Sequence, residues 1–390
     1  MPELTHGPIN TPFKSEFLAG FECSAHRRRD GRRLDLLSLT QHDRFVERDY
    51  AELARLGIRT VRDGVRWHQV EQVPYRYDWS SFLPMLQAGR LSGTQAIWDL
   101  CHYGWPDDLS IWSSSFPERF ARFAGATARI VCNETGPGGF YCPVNEISFW
   151  AWAGGEAGRF NPCARGRGSE LKRQLVRAAI AATDAIRSVD PQARFITAEP
   201  LIHVDPGLGD KAHRKAAERY REAQFEATDM LAGRLEPELG GAQDLLDLVG
   251  LNFYPDNQWY HGGSTIPLGH HAYRPLSHML AEAARRYARP IFIAETGAEG
   301  SARAAWLHYV CQEVAAARRA GVDVAGICVY PILDYPGWDD ARMCRVSLFS
   351  EADEEGHRGL CPELAAELRC QQGCLRAEPC EPARAGAVGR

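Results

Sequence analysis

The chain has 390 residues, 45% hydrophobic and 24% charged, which is the balance of an ordinary globular protein with a large core. A net charge of −5 argues against nucleic acid or an anionic membrane as a partner, and no apolar run of about 18 residues predicts a transmembrane helix. Twelve cysteines, with no basic-then-apolar pattern at the N-terminus, predict reduced thiols and a cytoplasmic protein.

Short apolar runs alternate with amphipathic stretches along most of the chain. Strands are expected at 17–24, 58–67, 94–101, 139–145, 194–199, 246–254, 290–295 and 324–330. Most lack strict polar–apolar alternation, which suits parallel strands buried on both faces. Helical patterns lie between them. Residues 43–56 place Phe45, Val46, Tyr50, Leu53, Ala54 and Leu56 on one stripe, ended by Gly57. Residues 117–131, 169–188, 210–231, 276–287 and 301–320 behave likewise. Strand then helix, repeated about eight times, predicts an α/β fold consisting of a single (β/α)8 TIM barrel. No G-x-G-x-x-G or Walker A turn supports an open nucleotide-binding sheet. The barrel is expected to occupy residues 1–375, with periodicity fading after Pro362 and a disordered tail over 376–390. Cys361, Cys370, Cys374 and Cys380 do not form paired CxxC spacing, so they are read as incidental thiols and no metal is expected.

In such a barrel, reactive groups sit where strands run into the loops that follow them. The expected strand ends carry Glu22, Ser24 and His26; Arg62, Arg66, Trp67 and His68; Asp99, His102, Tyr103 and Trp105; Asn145 and Glu146; Glu199 and His203; Asn252 and Tyr254; Glu295; and Tyr330, Asp334 and Trp338. Two of these stand out. Phe140–Glu146 and Pro290–Glu295 are strand-like runs that end on a glutamate, although an unpaired buried charge is costly. Paired carboxylates facing one another across a cleft are the equipment for cleaving a glycosidic bond. Tryptophan faces stack on sugar rings, while amides and acids bind hydroxyls.

The ordered motifs resemble those of clan A glycoside hydrolases, in particular the family 1 β-glycosidases, over roughly residues 17–340. Gly20–Arg27 is similar to the G-x-A-T-S-A-Y-Q strand of that family. Val61–Trp67 carries its arginine and tryptophan, and His102–Pro106 its H-W-D-L-P. Asn145-Glu146-Ile147 stands for N-E-P, Gly250–Tyr254 for G-L-N-Y-Y, Ala294–Gly297 for T-E-N-G, and Leu333–Trp338 for L-x-D-N-x-E-W. The resemblance implies a retaining hydrolase acting on a small-molecule glycoside or oligosaccharide, without a cofactor. Glu295 would be its nucleophile and Glu146 its acid/base. Arg62, His102, Asn145, Asn252, Tyr254, Trp338 and Glu22 would be its substrate-binding residues. Arg62 and Tyr254 would also keep Glu295 ionised, and Asn145 would hold the sugar's 2-hydroxyl.

Two departures concern the sugar. The family's glycone-binding Gln is Arg27 here, and the Glu of its last motif is Gly337, so a glucose or galactose preference does not carry over. Residues 26–33 crowd five arginines beside the first strand, either as a solvated loop or as a recognition site for an acidic glycoside. A transglycosidase with the same two carboxylates and a non-catalytic sugar-binding barrel are the alternatives. A metal-dependent barrel hydrolase is disfavoured by the lack of any His-x-His. The oligomeric state is left open.

Overall fold

The computed structural model describes residues 11–340 and 342–376. Eight parallel strands close into a barrel in chain order. They are β1 (Phe17–Gly20), β2 (Thr60–Gly64), β3 (Gln95–Asp99), β4 (Phe140–Cys142), β5 (Arg194–Pro200), β6 (Leu248–Asn252), β7 (Ile291–Thr296) and β8 (Val324–Val329). The expected (β/α)8 barrel is therefore the fold.

The strands are apolar on both faces because both faces are covered. Leu18, Ile97, Phe140, Ile196, Leu248 and Phe292 fill the barrel interior. Phe13 closes the interior against Phe140 and Phe292, at ring distances of 6.0 and 5.2 Å. Alternate residues such as Phe17, Val61, Trp98, Tyr141 and Val249 pack outward against the helices. Inward and outward side chains are equally apolar, which removes the period-two signal from the sequence.

Several strands are shorter than expected. β1 stops at Gly20 instead of residue 24, and β4 at Cys142 instead of residue 145. The residues beyond them leave the parallel ladder and carry polar side chains over the barrel mouth. Two helices were not anticipated. Leu83–Ser92 connects β2 to β3. Pro362–Arg376 occupies a stretch whose periodicity was expected to fade, and buries Leu364, Ala365 and Leu368 beside the helix Arg303–Arg319. Its stripe is too sparse to predict a helix alone, and docking supplies what propensity does not. Cys370 and Cys374 lie exposed on it. Cys380 and residues 377–390 of the expected tail lie outside the described residues. Among the described residues, no helix is long and apolar enough to cross a membrane.

A buried polar cluster ties the first half of the barrel to an antiparallel hairpin formed by Phe349–Ala352 and Arg358–Leu360. His42 contacts Asp49 through Nδ1 at 2.7 Å and Asp63 through Nε2 at 2.9 Å. Tyr50 donates to Asp63, and Arg358 donates to Asp49. Burial alone lowers the pKa of His42, but Asp63 and Asp49 outweigh it and raise it to about 9. A folded-state pKa above the unfolded value stabilises fully below about pH 6.5 and loses that contribution as pH rises through 9. The expected loss is on the order of 2–3 kcal/mol. Urea midpoints measured at pH 6 and pH 9.5 should show this fall in the natural protein and a much smaller one in His42→Gln. Equal slopes in the two proteins overturn the assignment.

Candidate active site

β4 leads into Glu146 through Pro143, Val144 and Asn145. Glu146 adopts φ 43° and ψ 58°, a left-handed conformation rare for a residue with a side chain. Its N–H donates to the Ala198 carbonyl of β5 at 2.8 Å, and it starts the short helix Ile147–Trp150. This anchoring fixes the direction of the carboxylate. Asn252, at the end of β6, donates to its Oε1 at 2.9 Å, and the Tyr103 hydroxyl donates to its Oε2 at 2.5 Å.

Glu295 comes from β7 and has different neighbours. Arg62 Nη1 donates to its Oε1 at 2.6 Å, and the Tyr254 hydroxyl donates to its Oε2 at 2.9 Å. Arg62 is held in turn by both oxygens of Asp99, at 3.0 and 2.7 Å, and also donates to the Asn145 carbonyl oxygen. The Asn145 amide then points its Nδ2 at His102 Nε2, 2.9 Å away, and His102 Nδ1 lies 3.0 Å from Asp99. Asn145 thus donates to Nε2, which assigns the His102 proton to Nδ1, where it donates to Asp99.

Glu22, Glu146, Glu295, His102, Tyr254 and Trp338 line one cleft of about 1040 Å³ at the C-terminal mouth of the barrel. Arg62, Asn145 and Asn252 differ from the expectation of direct substrate contact. All three are fully buried and do not line the cleft. Their hydrogen bonds go to Asp99, to His102 and Tyr103, and to the two glutamates, so they set the direction and charge of groups that do face the cleft; Asn252 Oδ1 has no partner among the described residues. Glu22 accepts the Ser24 N–H at 3.0 Å and lies 3.9 Å from His102. Trp338 packs edge-on to Tyr103, with ring centroids 5.7 Å apart. His203 lies away from the cleft in a short strand paired with Gln258–Tyr260.

The sequence assigned no particular role to some residues that matter here. Tyr103 has φ 63° and sends its hydroxyl to Glu146; nothing in a His-Tyr-Gly stretch announces that backbone. Glu199 is buried behind Glu146, accepts the Ser148 N–H at 3.0 Å, and is pushed up to about 7 by burial. Trp152, Tyr220 and Trp259 widen the cleft outward from a π-helical turn, the helix Lys211–Glu222 and the strand Gln258–Tyr260, whose convergence no spacing foretells.

The electrostatics distinguish the two glutamates. Burial raises both above the ordinary glutamate range. At Glu146, hydrogen bonds from Tyr103 and Asn252 oppose burial, while Glu199 adds to it. At Glu295, the Arg62 cation opposes burial and Glu146 adds to it. Burial pushes Glu295 up to about 7, yet among the described residues Glu295 and not Glu146 touches a cation, and that contact favours the ionised form of Glu295.

Cys23, Asp99 and His102 bring three donor atoms within 4.8 Å of one another, as do the exposed Asp353, Glu355 and His357. Arg62 already occupies both oxygens of Asp99, and its charge opposes a metal cation there.

No family model matches the chain, and no curated protein matches it. Solved structures do match. A β-glucosidase from Thermotoga maritima in complex with glucoimidazole superposes with a TM-score of 0.75 at 14% identity, covering 92% of this chain and 97% of that one. The AHE enzyme from Alicyclobacillus herbarius gives 0.74 at 16% identity, covering 87% and 88%. A hyperthermophilic β-glucosidase mutant that forms a dodecamer in its crystal gives 0.72 at 16% identity, covering 92% and 99%. Identity this low carries the architecture and not the activity: the chain has the (β/α)8 barrel fold of these proteins over most of their length.

Proposed function

We propose that the protein is a retaining glycoside hydrolase that cleaves a β-glycosidic bond through a covalent glycosyl-enzyme. The observation that carries this reading is the pair Glu146 and Glu295, brought from β4 and β7 to one cleft and given opposite surroundings. The low-identity likeness to β-glucosidases and the resemblance of the strand-end motifs to family 1 support it.

In the first step a Glu295 oxygen attacks the anomeric carbon while the bond to the departing oxygen breaks. Glu146 gives its proton to that oxygen, so the aglycone leaves as an alcohol. Arg62 and Tyr254 keep Glu295 anionic and aimed until it attacks. Tyr103 and Asn252 occupy one lone pair on each Glu146 oxygen, which leaves the remaining positions for the acid proton. Esterification removes the negative charge of Glu295, and with it the repulsion that favoured protonation of Glu146. In the second step Glu146 takes a proton from water, the water oxygen bonds to the anomeric carbon, and Glu295 leaves as a carboxylate. Trp338 supplies a stacking face, and His102 and Glu22 bind ring hydroxyls.

A panel of 2-deoxy-2-fluoro glycosides with activated leaving groups tests the covalent step. The fluorine slows both steps and the leaving group restores the first, so the intermediate accumulates. Mass spectrometry of the digested protein should place one sugar on the peptide containing Glu295. Turnover of the parent glycosides with no label on Glu295, or with inversion at the anomeric carbon, sinks the reading.

A further inference from the structure

The arginine-rich turn after β1 divides into two groups. Arg27 and Arg33 both converge on Asp107, so each has a carboxylate partner. Arg28 and Arg29 instead line a second cavity of about 270 Å³, together with Arg159 from the loop after the Glu146 helix. Trp338, Phe149 and Arg159 border both this cavity and the main cleft, so the two spaces adjoin.

The cavity is cationic and rich in unpaired donors. Arg29 donates to the carbonyls of Gly158 and Ala157, which carry no net charge. Arg159 lays its guanidinium over Trp152 at 4.6 Å and pairs with no carboxylate among the described residues. Arg28 donates to the Asp339 carbonyl and lies 3.7 Å from Asp30. Asp30 and Asp339 border the cavity, leaving three guanidinium groups against two carboxylates. The Asp30 side chain is 56% exposed and accepts the Arg32 N–H, so it is turned largely to solvent.

His26 sits against this cavity with its side chain fully buried. Neither of its ring nitrogens has a hydrogen-bond partner among the described residues, and Trp338 Nε1 also has none. The two rings lie 4.4 Å apart. Burial, with His102, Arg28 and Arg33, pushes the His26 pKa down to about 3, so the ring is neutral. Buried donors left unpaired are costly, and here they adjoin guanidinium groups whose planar forks match carboxylate and phosphate oxygens.

We propose that this cavity binds an anionic substituent of the sugar ring held between Glu146 and Glu295, so that the substrate is an acidic glycoside. The proposal rests on the glycosidase reading above. A carboxylate and a phosphate ester share the chemistry that the cavity recognises.

The test is calorimetric titration of the Glu295→Gln protein, which binds without turnover, with p-nitrophenyl β-glucuronide, p-nitrophenyl 6-phospho-β-glucoside and p-nitrophenyl β-glucoside. At least one anionic glycoside is expected to bind about tenfold or more tighter than the neutral one. Tighter binding of the glucuronide identifies a carboxylate, and of the phosphoglucoside a phosphate. Adding Arg28→Gln, and then Arg159→Gln, should reduce the anionic advantage to about threefold or less; Arg28 borders the second cavity and not the main cleft, so Arg28→Gln should leave affinity for the neutral glycoside unchanged. Arg159 is exposed and Arg28 is partly buried, and melting curves check that the variants fold. Preference for the neutral glycoside, absence of binding by all three, or an anionic advantage that persists without the arginines overturns the proposal. Turnover is measured separately with Glu295 intact. Anionic glycosides that bind but are never cleaved count against the hydrolase reading alone, and cleavage with a neutral preference counts against the anionic cavity alone.

Discussion

Glu295→Gln should lower kcat by about 10⁴-fold or more on every glycoside the natural protein cleaves, because no covalent intermediate forms through a neutral amide. The amide is nearly isosteric: its oxygen can accept from Arg62 while its NH2 donates to the Tyr254 hydroxyl oxygen. Arg62 loses one anionic partner but keeps both oxygens of Asp99, so it is not left as an unpaired buried charge. The repulsion between Glu295 and Glu146 also disappears. The fold should therefore survive, and substrate affinity should change little. The measurements are kcat by steady-state kinetics and a melting curve on the same preparation. A folded Glu295→Gln protein with near-natural kcat removes Glu295 from the mechanism.

Glu146→Ala should act selectively. Removing the general acid costs about 10²–10⁴-fold where the leaving group needs a proton, and much less for a nitrophenolate that departs unaided. The second step then lacks its base. Azide needs no deprotonation and fits the space that the carboxylate vacates, so it should restore turnover on activated substrates and give a glycosyl azide of retained configuration. Kinetics with two leaving groups, with and without azide, followed by NMR of the product, reads all of this. A uniform loss across leaving groups with no azide response assigns Glu146 a structural task instead.

The barrel was legible because its signal is repetitive. Eight apolar runs separated by amphipathic stretches leave few other folds, and errors at single boundaries do not alter that count. The boundaries themselves were less legible. Residues 21–24 and 143–145 continue the apolar texture of β1 and β4 after the parallel ladder has ended, because they pack as buried loop over the barrel mouth. The helix Pro362–Arg376 was missed for the opposite reason. Its apolar stripe is short, and it is helical because Leu364 and Leu368 find the side of the barrel.

For the candidate site, position along a strand indicated which end of the barrel a residue occupies, but not whether its side chain stands in the cleft or beneath it. Arg62, Asn145 and Asn252, read from the motifs as substrate-binding residues, are buried beneath the side chains that line the cleft. Tyr103 was visible as one more polar aromatic at the rim; its place on Glu146 depends on a left-handed backbone that composition does not encode.

From the sequence alone came the eightfold alternation and the two glutamates that end apolar strands, since periodicity and burial cost are properties of short segments. The tertiary structure alone decided which of the strand-end side chains stand beneath the cleft, and which arginines lack a close carboxylate. Arg62 reaches Glu295 from across the barrel, and Arg159 joins Arg28 and Arg29 from a separate loop. Electrostatic energies depend on distance through space and on the water that packing excludes, and neither quantity can be read from separation along the chain.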